Sequence, residues 1–251
     1  MGGYDGYRRA GHFRPVPMPG GDTAVREPWR MAMAYLYQTL GEGAFTLDHP
    51  VTRFLPEQDR ALFAQMLRRG INSPLTSSCG RLFDAVAALL NLRHTVSYDG
   101  QAAIELEGLA EGKSPPPPLS QRGEYNFNHQ RGEYAFNIMS HGEEPLQLDF
   151  SPMIAEIIAD IDAGVRSAVI AHRFHQSVAS AATDVCLRIS AATGLERVIL
   201  SGGVFQNRLL TEMIYTPLSQ KGLNVFTHRL VPPNDGGIAL GQAAIAGRRK
   251  V

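Results

Sequence analysis

Cysteine is almost missing from this chain. Only Cys79 and Cys186 occur in 251 residues, too few and too far apart for a disulfide framework, and no Cys-x-x-Cys pair marks a zinc module. Charge of one sign is in no excess either. Lys plus Arg and Asp plus Glu each number 24, so the formal charge is zero and the overall balance draws the chain neither to nucleic acid nor to an anionic membrane. No apolar run approaches the roughly 18 residues that span a bilayer, and the opening residues carry no secretory pattern. The expectation is a cytoplasmic, globular protein with reduced thiols. With 44% hydrophobic residues it can bury a sizeable core.

What is present reads as two styles of chain. Residues 1–27 are irregular, because prolines at alternate positions in Arg14-Pro15-Val16-Pro17-Met18-Pro19-Gly20 favour extended backbone. Pro28 suits a first helical turn, and Met31, Tyr35, Leu36 and Leu40 follow at helical spacing. Further helices are predicted over 56–69, with Leu62, Phe63, Met66 and Leu67 inward, over 80–92, and over 102–111. The stretch 112–150 is a loop or hairpin insertion: a proline run is followed by Arg122-Gly123-Glu124-Tyr125 and its echo Arg131-Gly132-Glu133-Tyr134. From Pro152 onward helices over 153–163 and 168–192 lead into a short buried strand, Val198-Ile199-Leu200. A helix over 206–220, a strand Asn224–Thr227 and a small-residue helix over 238–246 follow. Strand, turn, helix, strand, loop, helix is the order of an α/β lobe with ligand sites at strand ends.

Three strings can carry chemistry. Ser201-Gly202-Gly203-Val204-Phe205-Gln206-Asn207 joins a strand to a helix; its glycines allow backbone amides close to a phosphate, or simply make a tight turn. It is not a P-loop. Pro232-Pro233-Asn234-Asp235-Gly236-Gly237 feeds the last helix, where Asp235 either caps the helix or binds a metal ion. Asp84, early in the 80–92 helix, either offsets the helix dipole or accepts from ribose hydroxyls. Cys79 lacks an evident base, and His172 with His175 reads as a core or interface pair rather than a metal site.

Taken together, Ser77 to Leu90, Gly100 to Glu107, Arg173-Phe174-His175, Leu200 to Asn207 and Pro232 to Ala243 resemble, in this order, the C-terminal part of the HypF family of [NiFe]-hydrogenase maturation carbamoyltransferases. The opening, Tyr4-Asp5-Gly6-Tyr7 through Glu27-Pro28-Trp29-Arg30, is similar to the same family. The resemblance implies an α/β fold of the actin-like ATPase/sugar-kinase (ribonuclease H-like) class with a helical N-terminal portion. In it, residues 1–70 complete the module and 71–251 form the nucleotide-binding lobe. It also implies a carbamoyl group passed from carbamoyl-adenylate, made with ATP, to the C-terminal cysteine of a HypE-type partner, for cyanide-ligand synthesis. Asp84, Gly100, Gly202, Gly203 and Asn207 would then contact nucleotide, and Asp235 a divalent metal: iron, zinc or magnesium.

The sequence departs from the family in one respect that matters. The family's His-x-x-x-His metal ligands lie upstream of anything present, and no such string occurs here; the adenylate-forming and zinc-finger regions are also absent. Half a nucleotide and metal site is therefore expected, with weak nucleotide binding, little catalysis by the chain alone, and self-association through an uncovered apolar face. A docking lobe without turnover, or another actin-like carbamoyl or threonylcarbamoyl transferase, are the alternatives. Neither membrane nor nucleic acid is expected as a partner.

Overall fold

A computed structural model describes residues 1–3, 6–112, 132–140, 142 and 144–248. These fall into two compact units. One contains Met1–His12, Ile138–Leu148 and the residues from Val178 on; the other contains Phe13–Asn137 and Asp149–Ser177. The first copy of the Arg-Gly-Glu-Tyr echo, and with it the expected hairpin, lies outside the described residues.

The second unit is built around a helix with hardly any polar face. α1 (Thr23–Arg26) leads into α2 (Pro28–Leu40), which begins at its proline and buries Trp29 and every residue from Met31 to Leu36. Such a helix must be surrounded. It packs against α4 (Cys79–Leu89) and α6 (Ser151–Asp162), and α4 packs against α5 (Gln101–Ala110). Phe83 of α4 meets Phe174 edge-on at 4.8 Å and His175 at 5.1 Å, both from α7 (Ser167–Thr193). The proline-rich stretch is extended, as its composition requires: β2 (Val16–Pro17) pairs antiparallel with β3 (Leu75–Thr76). On α3 (Arg60–Arg69), Phe63 and Leu67 are buried but Leu62 is exposed, so the apolar stripe is narrower than its spacing suggests.

Tyr134 ties the segment after residue 131 to this core. Its amide donates to Ser177 Oγ and its hydroxyl to Asp160 Oδ2, each at 2.8 Å. Arg173 lies over its ring, 3.8 Å from the centroid, and pairs with the same aspartate. Buried polar groups without partners are costly; here each meets another.

The first unit carries most of a three-stranded sheet, in the order β1 (Gly11–Phe13), β5 (Leu146–Asp149), β4 (Asn137–Met139). It also carries a parallel pair, β6 (Arg197–Leu200) with β7 (Asn224–Thr227), connected by α8 (Arg208–Gln220). Parallel strands are normally covered on both faces. Here α8 covers one side, through Leu210, Ile214 and Leu218, while Ile199 is 70% and Phe226 51% exposed. The expectation that Val198–Leu200 is a buried strand holds for Leu200 only. The small-residue helix α9 (Ile238–Arg248) forms as predicted, yet none of its residues is buried, so its low bulk serves no close packing among the described residues.

Phe83→Ala should destabilise the second unit by about 3–5 kcal/mol, as aromatic truncation in a closed core does. Urea unfolding followed by the fluorescence of Trp29, the chain's single tryptophan, measures this directly. A loss below about 1 kcal/mol would mean the core collapses freely around the cavity.

Candidate nucleotide site

In the first unit the register of one strand pair brings two loops together. Leu200 pairs with Thr227, so the chain leaves both strands at the same carboxyl end, through Ser201 and His228. Open α/β sheets place ligands at this end. Gly202, at φ +110°, donates its amide to Pro233 O at 2.8 Å, which joins the 201–207 turn to the 228–237 loop. A Cβ at Gly202 would meet nothing within 4 Å, so the space beside it is open. Its own amide is spent on Pro233 and that of Phe205 on Gly202 O; the amides available to a ligand are those of Gly203 and Val204, which begin the 3-10 turn Gly203–Gln206.

Asn207 caps α8. Its Oδ1 accepts from Leu210 N at 2.7 Å, and the residue is buried. In the second loop Asn234 Oδ1 accepts from Gly236 N at 3.0 Å and so caps the 3-10 turn Asp235–Gly237 that leads into α9. Gly236 and Gly237 are glycine because a Cβ at either would lie 3.0 Å from an atom of Pro232. Asp235 itself is exposed, and its carboxylate makes no hydrogen bond or ion pair among the described residues. At the strand ends, His228 Nε2 lies 2.9 Å from Ser201 Oγ.

Asp84 and Gly100 occupy one corner of the second unit. Asp84 Oδ2 sits 3.0 Å from Arg81 NH1 one helical turn away, and Arg81 NH2 reaches Asp99 Oδ1 at 3.2 Å. Gly100 follows, a left-handed N-cap of α5 at φ +81° with open space where a Cβ would be. Burial pushes the Asp84 carboxyl up to about 6, with Arg81 drawing it down and Asp99 raising it further. Arg81, which holds the two carboxylates, was not singled out from the sequence; its position three residues before Asp84 on a helix was the available signal.

The described residues do not fit a resident iron or zinc ion. No group of three or more His, Cys, Asp or Glu side chains able to hold a metal occurs among the described residues, and Asp235 is a single exposed carboxylate. His175 is a core residue, buried with Nδ1 2.7 Å from Ala171 O, and burial holds its pKa down at about 4. Burial also pushes the Cys79 thiol up to about 12, which leaves no thiolate for nucleophilic attack.

Residues 1–242 match the family model described as carbamoyltransferase, Kae1-like domain, second subdomain. The chain belongs to this family. It is 37% identical over 96% of its length to carbamoyltransferase HypF2 of Cupriavidus necator, covering 30% of that protein. It is also 37% identical, over 98% of its length, to carbamoyltransferase HypF of Rhodobacter capsulatus, covering 29% of it. The solved structure of full-length HypF in a phosphate- and nucleotide-bound form superposes on 96% of the chain, and the chain on 29% of that structure, with a TM-score of 0.79 at 31% identity. The chain thus spans about a third of the length of these relatives, and its fold is the α/β, actin-like type expected. No helix among the described residues is long and apolar enough to cross a membrane.

Asp84 and His175 should give opposite pH dependences. A carboxyl whose pKa is raised on folding stabilises below its unfolded value near 4 and loses that stabilisation as pH rises through about 6. A histidine whose pKa is lowered on folding stabilises above about 6.5 and loses this as pH falls through about 4. The two oppose over one window, and His49 and His94, whose pKa values burial also lowers, act in the same direction as His175. Asp84→Asn should gain stability steadily from pH 4 to 6 relative to the native chain, read by urea unfolding at each pH. A constant difference between the two proteins would overturn the buried-carboxyl account.

Proposed function

We propose that this chain is the second-subdomain part of a hydrogenase-maturation carbamoyltransferase. It binds the nucleotide end of carbamoyl-adenylate and takes part in passing the carbamoyl group to the C-terminal cysteine thiol of a HypE-type partner. One observation carries the reading: the family match runs through both loops at the carboxyl ends of β6 and β7, where an open glycine turn stands beside a helix start. Backbone amides at that turn suit phosphate oxygens, and the cap at Asn207 holds the following helix in place. Asp84 and Gly100 are proposed as the second unit's nucleotide contacts. Asp235, the carboxylate left uncommitted by the capping of Asn234, is proposed as this chain's contribution to a metal site whose imidazoles come from elsewhere; no step of the transfer is assigned to it.

Calorimetric titration with ATP and AMP tests the nucleotide turn. Gly202→Ala places a side chain at a φ that L-residues rarely adopt and into the open space, and should weaken binding about tenfold, or about 1.4 kcal/mol. Equal binding by both proteins would remove the turn from the site. Transfer is read by mass spectrometry as carbamoylation of an acceptor peptide ending in cysteine.

A docking lobe without turnover is the second reading, favoured by the uncovered apolar side chains of the first unit. Ile199 and Phe226 stand side by side in register, and Leu230 is 99% exposed. On this reading the chain alone self-associates as concentration rises in sedimentation velocity, and Phe226→Asp abolishes the association. A monomer at all concentrations counts against an adhesive face.

A further inference from the structure

We infer that Ser201 and His228 form the proton-accepting pair for the incoming thiol. The inference rests on the transfer proposed above and adds a chemical role to two residues outside the nucleotide and metal contacts. Ser201 is the first residue after β6 and His228 the first after β7; the parallel register Leu200 to Thr227 therefore sets them side by side. Their side chains meet at 2.9 Å, Nε2 to Oγ, on the exposed side of the strand ends. Ser201 directly precedes Gly202, the open turn assigned above to the adenylate.

The reaction needs such a pair. A cysteine thiol with a pKa near 8.5 is only a few per cent thiolate at pH 7, and the thiolate is the nucleophile. In the proposed step the acceptor sulfur attacks the carbamoyl carbon. Its proton passes to Ser201 Oγ as the serine proton moves to Nε2 of neutral His228. The S–C bond forms, the bond from carbamoyl carbon to phosphate oxygen breaks, and AMP leaves with its electron pair. The proton ends on the imidazole and returns to solvent. No redox partner is required. The charged side chains on the two loops and the helix start beside them are Arg208, Arg229 and Asp235; none of these is hydrogen-bonded to His228 among the described residues.

The test uses the chain assembled with the remaining parts of the family's length, carbamoyl-adenylate as donor and a peptide ending in cysteine as acceptor. His228→Gln should lower kcat about 100-fold at pH 7, within the range of general-base catalysis. The defect should shrink to less than about tenfold near pH 9.5, where the acceptor thiol ionises unaided. Ser201→Ala should show the same recovery with pH, and added imidazole should restore part of the His228→Gln rate. A merely structural role gives a defect that does not change with pH. If the native protein transfers carbamoyl and His228→Gln matches it across pH, the pair is not the base and the proposed function stands. If the native protein transfers nothing, the function falls and this inference with it. A carbamoyl adduct on Ser201 would make the hydroxyl an acceptor and overturn the proton-transfer role.

Discussion

The register of two short parallel strands governs the candidate site. β6 and β7 are each four residues long, and the pairing of Leu200 with Thr227 decides which residues leave the sheet together. Because side chains alternate along a strand, a slip of one residue would put Ser201 beside Thr227 or Arg229 and send the paired side chains to opposite faces. The loop bond from Gly202 N to Pro233 O then holds the two exits together. Gly236 and Gly237 allow Pro232 to close on the chain behind it. The glycines of this region thus serve different ends, open space at Gly202 and close contact at Gly236 and Gly237.

The second unit solves a different problem. α2 has almost no polar face, so its stability comes from neighbours on every side, and some of the polar groups near this packing are satisfied in pairs. Asp160 illustrates the logic. It takes the Tyr134 hydroxyl and the Arg173 guanidinium together, while Arg173 also covers the tyrosine ring. Removing one member would leave a buried charge without its partner, a larger cost than the bond itself contributes. Asp84 and Arg81 form a comparable pair, less fully compensated, which is why burial still raises the carboxyl.

Helices were legible in the sequence because their apolar spacing is repeated over several turns; α2, α6, α7 and α8 begin and end within a few residues of where that spacing places them. Inward and outward were less legible. Leu62 and Ile199 are apolar residues in periodic positions, and both are exposed, because periodicity shows that a face is apolar but not that anything covers it. The sequence motifs single out Gly202, Gly203, Asn207 and Asp235, all local features of two loops. Arg81 and the Ser201–His228 pair were missed for a common reason: each depends on a partner fixed by helix turn or strand register, not by a string of neighbours.

Asn234 clarifies what that local reading confounds. A carboxylate before two glycines at a helix start can cap the helix or serve a ligand, and the sequence leaves both open. In the fold the preceding asparagine caps the 3-10 turn Asp235–Gly237 that leads into α9, so the carboxylate of Asp235 is not needed for that bond. A helix that is small in residue bulk and buried nowhere gains little from an anion near its start beyond a dipole contribution of about 0.3–1 kcal/mol. The exposed carboxylate of Asp235 is a feature that folding of the first unit does not require, and a residue free of structural duty is one a fold can spend on a ligand.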